Sequence, residues 1–249
     1  MEAINVSQGI KPRSVPSGRG VDWISGGFEL FKRAPGIWIG MIVIWILLIG
    51  TVSYAPGGGL VTGLFGPVFQ AGWFIGCKSL DDGAELKIEH LFSGFSGGKI
   101  GQLLLVGVLY FVGFVLIAVL AGGLIFAGGA SFLHGGEGFQ FGMSTLLGLL
   151  IGLVLLVPLM MANWFAPALV VFHDVPAIEA MKLSFAGSWQ NMAPFTLYGL
   201  IAVLIAIVAA IPLMLGFLIV GPVLIASSYM SYKDIFSVQS PDVGETTPG

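Results

Sequence analysis

Long runs of apolar residues, separated by short polar connections, fill most of the chain from residue 37 to residue 231. Each run is close to the roughly 20 residues that an α-helix needs to cross the hydrocarbon core of a bilayer. We predict spanning helices at about 37–55, 60–77, 101–127, 144–171, 195–212 and 214–231. The expected fold is all-α: a polytopic membrane helix bundle with six transmembrane helices.

Prolines and glycines divide these runs. The sequence APGGG at residues 55–59 predicts a tight hairpin between the first two spans. The last two spans are separated at Pro212, because one helix through both would be about twice the length required. Pro158 predicts a kink or a strong tilt in the long fourth span. Helix breaks are predicted at Pro67, Pro158, Pro167, Pro212 and Pro222.

Composition agrees with a chain dissolved in lipid. Hydrophobic residues make up 56% of the sequence and charged residues only 9%, whereas a soluble domain carries roughly a quarter charged residues. The net charge of −3 and the lack of any Lys/Arg run exclude a nucleic-acid partner. The single Cys77 cannot form an internal disulfide. The lipid bilayer is therefore the first expected partner.

The positive charges support the count of six. With six crossings, all ten Lys and Arg residues fall on one side of the membrane, whereas five or seven crossings would divide them. The positive-inside bias assigns that side, with both termini, to the cytoplasm. Residues 1–21 and 237–249 are polar and are expected to be disordered cytoplasmic tails. Residues 22–236 then form the transmembrane domain.

A three-part pattern occurs three times: an amphipathic stretch, an apolar helix, and a second helix with a small residue before proline. The amphipathic stretches are 23–38, 89–102 and 177–195, and the dipeptides are Gly66-Pro67, Ala166-Pro167 and Gly221-Pro222. Two spans per copy predict three parallel helix-pair repeats. The amphipathic stretches have two interpretations: short helices in the cytoplasmic interface, or simple extensions of the following spans.

Several motifs together resemble a known group of proteins. They are GF-x-LF near the start, GPV…GC-x-SLD-x-G…LFSGF, WFAPALVVFHD…A-x-KLSF…N-x-x-PF and the terminal SY-x-DIF. Across residues 22–236 the chain resembles a family of uncharacterised six-helix inner-membrane proteins of proteobacteria. Its layout is also similar to the membrane domain linked to glycerophosphodiester phosphodiesterases, although we expect no extramembrane phosphodiesterase domain within these residues. The resemblance implies the bacterial inner membrane as location and implies no activity.

Two amides are the most polar groups deep in the predicted spans. Gln70 lies three residues after Pro67, Asn163 lies four before Pro167, and each is close to a tryptophan. A functional interpretation places both in one polar intramembrane site near broken backbone. The structural interpretation, which the residue types favour, makes them interhelical hydrogen bonds of about 1 kcal/mol each.

Acidic residues and histidines cluster at the predicted cytoplasmic ends of the spans. They could contact a cation or a basic partner, or form a solvated loop. The candidate contact residues are Asp81, Asp82, Glu85, Glu89, His173 and Asp174. No zinc-type spacing occurs, and His134 falls on the opposite side from the other histidines, so no metal and no cofactor are predicted.

Two functional hypotheses remain open, and a third has less support. The first is a non-enzymatic scaffold, assembly factor or complex subunit, because small-xxx-small faces suit contact with a membrane-protein partner or a second copy. The second is a transporter, channel or lipid-handling protein, which requires a cavity near Gln70 and Asn163. A membrane-embedded enzyme is the third, and since no nucleophile–base pair or metal triad is present, we predict no enzymatic activity.

Overall fold

The computed structural model describes residues 10–135 and 138–236, without the side chain of Phe139, and this part of the chain is helical with no strand. Its α-helices are α1 (Arg19–Arg33), α2 (Pro35–Ser53), α3 (Gly58–Asp81), α4 (Ile100–Leu133), α5 (Gly138–Trp164), α6 (Ala166–His173), α7 (Ala177–Gln190), α8 (Met192–Ala210) and α9 (Phe217–Phe236). A 3₁₀ helix, Ile88–Phe95, lies between α3 and α4. The predicted all-α fold is confirmed.

Within residues 10–135 and 138–236, five helical segments are long and apolar enough to cross a membrane, judged by length and composition. They are Pro35–Ser53, Gly58–Asp81, Ile100–Leu133, Gln140–His173 and Met192–Ala210. The predicted sixth span corresponds to α9, whose second half contains three serines together with Lys233 and Asp234. These polar residues keep α9 outside that set, and the count of six stays a prediction.

The prolines behave in two ways. Pro67, Pro158 and Pro222 lie inside α3, α5 and α9, which continue through them. The predicted breaks at these three positions are thereby corrected: an interior proline removes one backbone hydrogen bond, and packing against neighbouring helices maintains the helix. By contrast, the chain leaves the helix just before Pro167, at Phe165, and again in the turn that contains Pro212.

One end of the bundle carries the charged side chains of the residues that the structure describes, and we call it the charged face. The helices α2, α4 and α8 begin there, and α3, α6 and α9 end there. Ion pairs join neighbouring ends: Lys99 at the start of α4 pairs with Asp174 after α6, and Lys233 near the end of α9 lies 2.7 Å from Asp81 of α3. All ten Lys and Arg residues lie in segments that meet at this face.

Three of the shorter helices, α1, the 3₁₀ helix and α7, each pack closely on the backbone of a longer helix. Gly27 of α1 lies against the backbone of α9, where an added Cβ would be 2.6 Å from the carbonyl oxygen of Val223. Gly94 of the 3₁₀ helix lies against α3, where a Cβ would overlap the carbonyl oxygen of Val68. Ser184 of α7 hydrogen bonds to the backbone around the end of α5. α1, the 3₁₀ helix and α7 thus pack on α9, α3 and the end of α5, respectively, and the three helix-pair repeats stay a prediction.

The segment before α1 corrects the prediction of a disordered tail over residues 1–21. Ile10 is buried, the Arg13 amide donates a 3.0 Å hydrogen bond to the Ile235 carbonyl, and the Val15 amide donates to Asn191 Oδ1 at 2.8 Å. These contacts order residues 10–18 across the ends of α7 and α9. Residues 1–9 and the predicted tail 237–249 lie outside the described residues.

Candidate functional site

Gln70 contacts the backbone where α5 ends. Its Nε2 donates a 2.9 Å hydrogen bond to the carbonyl oxygen of Trp164. That carbonyl faces the interruption between α5 and α6, where a continuous helix would have supplied an amide donor four residues later. The amide thus satisfies a backbone group at a helix break, which is the structural role that the sequence favoured.

A serine hydroxyl completes the same break. Ser184 Oγ of α7 accepts a 2.9 Å hydrogen bond from the amide of Phe165 and donates a 2.6 Å bond to the carbonyl of Met161. In an uninterrupted helix this amide and this carbonyl would bond directly to each other. The hydroxyl has been inserted between them, so side chains of α3 and α7 together satisfy the opened backbone.

Asn163 does not join Gln70 in one polar site. Its Oδ1 is buried and has no hydrogen-bond partner among residues 10–135 and 138–236. The indole nitrogen of Trp164 is likewise buried and has no partner among these residues. Asn163 is also not among the residues that line either of the two grooves described next. Of the two predicted amides, Gln70 alone lines one of these two grooves.

The first groove, called the α3 groove, has a volume of about 570 Å³. It is open to the outside of the bundle and is walled by α2, α3, α4 and α9, with Gln70 on its lining. Its lining along α3 runs from Gly59 to Phe74, a length of about 22 Å at 1.5 Å per residue. The groove therefore extends along most of the ~30 Å thickness of a hydrocarbon core.

The second groove, called the α8 groove, has a volume of about 690 Å³ and lies between α5, α8 and α9. Trp164 and Phe195 form an aromatic part of its wall, with ring centroids 6.0 Å apart. Ile225 and Ser228 of α9 line both grooves. The two grooves therefore flank α9 on opposite sides of these residues, and both are predominantly apolar.

A third cavity, called the charged-face cavity, measures about 320 Å³. It lies where α3, α6 and α9 end, and it is lined by Lys78, Asp81, Asp82, Phe172, His173, Tyr229, Tyr232, Lys233 and Phe236. Three of the predicted cytoplasmic contact residues are among these nine. The sequence placed them on two separate segments, and the fold brings them to one cavity.

The other three predicted contact residues lie elsewhere. Glu85 and Glu89 have exposed side chains between α3 and the 3₁₀ helix. Asp174 ends α6 in a left-handed conformation, with φ of 57°, and pairs with Lys99 instead of turning to the cavity. The predicted cluster of six therefore does not form one site: three residues line the charged-face cavity, and Glu85 lines a separate pocket beside Arg33 and Leu80.

Asp234 is a polar centre that sequence reasoning missed. Its carboxylate is buried and receives Arg13 Nη2 and Arg19 Nε, each at 2.7 Å, and Trp23 Nε1 at 3.0 Å. Burial on its own would raise the pKa of Asp234, but the hydrogen bonds from Arg19, Trp23 and Arg13 hold it below the ordinary value. The available signal was the terminal SY-x-DIF motif, which the resemblance contained without assigning it a role.

The sequence of a known protein is similar over most of this chain. A probable inner membrane protein of Burkholderia thailandensis is 29% identical over 253 residues, which cover 89% of this chain and 92% of that protein. No protein-family model matches the chain, and no solved structure matches it. The similarity agrees with the expected inner-membrane relatives and provides no link to glycerophosphodiester phosphodiesterases. This chain is thus similar to an inner membrane protein whose name states no activity.

Proposed function

We propose that this chain is a non-enzymatic, lipid-handling protein of the bacterial inner membrane that holds lipid acyl chains in the α3 and α8 grooves. The observation that carries the proposal is the pair of long, open, apolar grooves beside α9. The α3 groove is parallel to a spanning helix for about 22 Å, which suits an extended hydrocarbon chain lying along the bilayer normal.

The lining argues for hydrocarbon and against a path for ions or polar solutes. No Asp, Glu, Lys, Arg or His is present among the described residues that line the two grooves, whereas ion and proton paths through membranes are built from such groups. Gln70 is the most polar side chain of the α3 groove, and the Trp164 carbonyl already engages its Nε2. The grooves thus offer apolar contact with few competing polar groups.

A scaffold function is the second candidate, and the α4–α5 hairpin favours it. α4 has 34 residues, whereas α2 and α8 have 19 each. At 1.5 Å per residue α4 is about 51 Å long, well beyond the ~30 Å of hydrocarbon that it would cross. Large apolar residues such as Phe126 and Leu133 are exposed along its far half. That surplus length could present helix faces to a membrane-protein partner or to a second copy.

We further propose six crossings with the charged face in the cytoplasm. α8 begins at the charged face, and α9 must return to it, because Lys233 and Asp234 contact residues of that face. A spanning α8 therefore requires a spanning α9. Since all ten positive residues lie on this side, the positive-inside bias orients it to the cytoplasm.

Cysteine labelling in intact cells tests this orientation. The native Cys77 is fully buried, so it gives little background in the folded protein. We expect Leu133→Cys, at a side chain 83% exposed, to react with a membrane-impermeant maleimide from outside. Lys182→Cys, on the charged face, should react only after the cells are opened. Labelling of Lys182→Cys in intact cells would overturn the proposed orientation.

Filling a groove tests the proposed lipid binding. Thr62 lines the α3 groove and Thr196 the α8 groove, and each hydroxyl donates a hydrogen bond to a carbonyl of its own helix. We expect Thr62→Trp and Thr196→Trp to occupy groove volume and to reduce co-purifying phospholipid several-fold. The measurement is the molar ratio of phospholipid to protein after extensive detergent washing, by native mass spectrometry.

Thr51→Trp is the matched control for both substitutions. Thr51 is an exposed threonine of α2 whose hydroxyl also bonds to its own helix, at Leu47, and it lines neither groove. Its substitution should leave the lipid ratio unchanged. If all three variants retained the same amount of lipid as the wild type, the bound lipid would lie outside the grooves and the scaffold function would be preferred.

A further inference from the structure

The charged-face cavity is built by three helices that are distant in sequence. Lys78 and Asp81 come from α3, His173 from α6, and Tyr232 and Lys233 from α9. Its volume of about 320 Å³ is at the lower end of the ~300–1,000 Å³ usual for small-molecule sites. None of its lining residues lines the α3 or α8 groove, so the cavity is separate from the grooves and open to the aqueous side.

Two ion pairs frame the cavity and leave bonding capacity unused. Lys78 Nζ lies 2.7 Å from Asp82 Oδ2, and Lys233 Nζ lies 2.7 Å from Asp81 Oδ2, which also accepts the Tyr229 hydroxyl at 3.1 Å. Each ammonium carries three N–H donors and each carboxylate has a second oxygen. Positively charged N–H donors and negatively charged oxygen acceptors are therefore both available in the cavity, next to each other.

Tyr232 adds a hydroxyl donor to the cavity. The residue is only 6% exposed, it lines the cavity, and its hydroxyl has no hydrogen-bond partner within the described part of the chain. The buried side-chain atoms without a partner in that part are Thr145 Oγ1, Asn163 Oδ1 and Trp164 Nε1, so the small exposed part of Tyr232 includes its hydroxyl, which opens to the cavity. A polar group in the cavity would accept the hydrogen bond that this hydroxyl otherwise donates to water.

The charge balance decides the chemical class of the ligand. Two ammonium groups and two carboxylates line the cavity, so a simple anion would meet Asp81 and Asp82, and a simple cation would meet Lys78 and Lys233. The cavity is also lined by aromatic rings, among them Phe172 and Phe236. The face of an aromatic ring attracts a desolvated ammonium group. We propose that the charged-face cavity binds a zwitterionic phosphoethanolamine group, in which a phosphate and an ammonium are joined by two carbons.

In this arrangement each half of the ligand meets its complement. The phosphate oxygens accept hydrogen bonds from Lys78, Lys233 and the Tyr232 hydroxyl, since lysine is a common phosphate donor. The ammonium lies against Asp81 and the aromatic rings. The group can belong to phosphatidylethanolamine or to a free phosphoethanolamine, because both present the same charges.

Calorimetric titration of the full chain in detergent micelles tests the site. The probes are O-phosphoethanolamine, inorganic phosphate and ethanolamine. We expect the first to bind at least tenfold more tightly than either half alone. Tyr232→Phe keeps the ring and removes the hydroxyl, and it should weaken binding by about tenfold, the usual effect of losing one hydrogen bond to a charged group.

Lys78→Gln should weaken binding at least as much, and Lys32→Gln is its matched control. Lys32 is 50% exposed and pairs with Glu29 within its own helix, much as Lys78 is 48% exposed and pairs with Asp82. A variant that fails to fold is recognised by its elution profile, and Tyr232→Phe, which changes no ion pair, then carries the test.

Nanodiscs distinguish the two sources of the ligand. If the lipid is the ligand, phosphatidylethanolamine discs should raise the melting temperature of the wild type above that in phosphatidylglycerol discs, and Tyr232→Phe should remove the difference. If the free molecule is the ligand, only the titration responds. Equal behaviour of wild type and Tyr232→Phe in both assays, or phosphate alone binding as well as phosphoethanolamine, would overturn the proposal.

Discussion

Gly94→Ala and Gly27→Ala are expected to destabilise the bundle severely, whereas Gly122→Ala is expected to leave it at least as stable as the wild type. A Cβ at Gly94 would overlap the Val68 carbonyl, and one at Gly27 would lie 2.6 Å from both the Val223 carbonyl oxygen and the Ser227 amide. These neighbours are backbone atoms of α3 and α9 and cannot turn aside. We expect each substitution to cost about 3 kcal/mol, the upper part of the range for overpacking.

Gly122 is the control because an added Cβ meets nothing within 4 Å. It lies within α4, where alanine is favoured over glycine by about 1 kcal/mol. The measurement is the temperature at which half of the detergent-solubilised protein is lost from the monodisperse peak. A Gly94→Ala variant as stable as Gly122→Ala would contradict the close packing of the 3₁₀ helix on α3.

The apolar pattern predicted the long helices well. Their boundaries agree within a few residues for α2 and α3, because the APGGG turn marks the hairpin directly. The fourth span was predicted as one run over 144–171, and it is divided at Phe165 into α5 and α6. Pro167 marked that break, but Pro67, Pro158 and Pro222 gave the same local signal without one. Whether a proline ends a helix depends on the hydrogen-bond partners that neighbouring helices supply, as Ser184 does here by accepting from the Phe165 amide and donating to the Met161 carbonyl.

The grooves and the charged-face cavity were less visible in the sequence because they depend on contacts between distant segments. Lys78 and Lys233 each lie eleven residues after a proline of the repeated pattern, so an alignment of the copies could have paired them. No such spacing marks His173. It lines the same cavity as these lysines because α6 ends at the charged face, as α3 and α9 do. Order in residues 10–18 was equally hidden, since it rests on Arg13 reaching an aspartate 221 residues later.

Asp234→Ala is expected to lower the free energy of unfolding by about 2–3 kcal/mol and to release the segment before α1. The substitution would remove the shared acceptor of Arg13, Arg19 and Trp23. Loss of one partner in a fully buried pair costs about 3–5 kcal/mol. The expected value is smaller because both arginine side chains are 43% exposed and water screens them in part. Thermal unfolding reports the stability, and limited proteolysis near Ser14 reports the release.

The same carboxylate gives a pH dependence with a defined sign. The pKa of Asp234 is held below its ordinary value in the folded protein, and in the unfolded chain it returns to about 3.9. Its contribution to stability is therefore complete above about pH 4 and is lost as the pH falls through the lower folded-state pKa. The stability difference between wild type and Asp234→Ala should be constant from pH 7 to pH 5 and should shrink below about pH 4.

Asp22→Ala provides the matched control, because Asp22 also pairs with Arg19, at 3.2 Å, but with a side chain 58% exposed. An exposed pair within one helix contributes only about 0.3–0.5 kcal/mol, so this variant should melt close to the wild type and keep residues 10–18 protected from protease. Asp22 and Asp234 both pair with Arg19. The expected difference in stability between the two variants therefore arises from the burial of Asp234 and from its larger number of hydrogen-bond donors. If Asp22→Ala and Asp234→Ala lost stability equally, the buried contacts of Asp234 would not be what anchors the amino-terminal segment to α9.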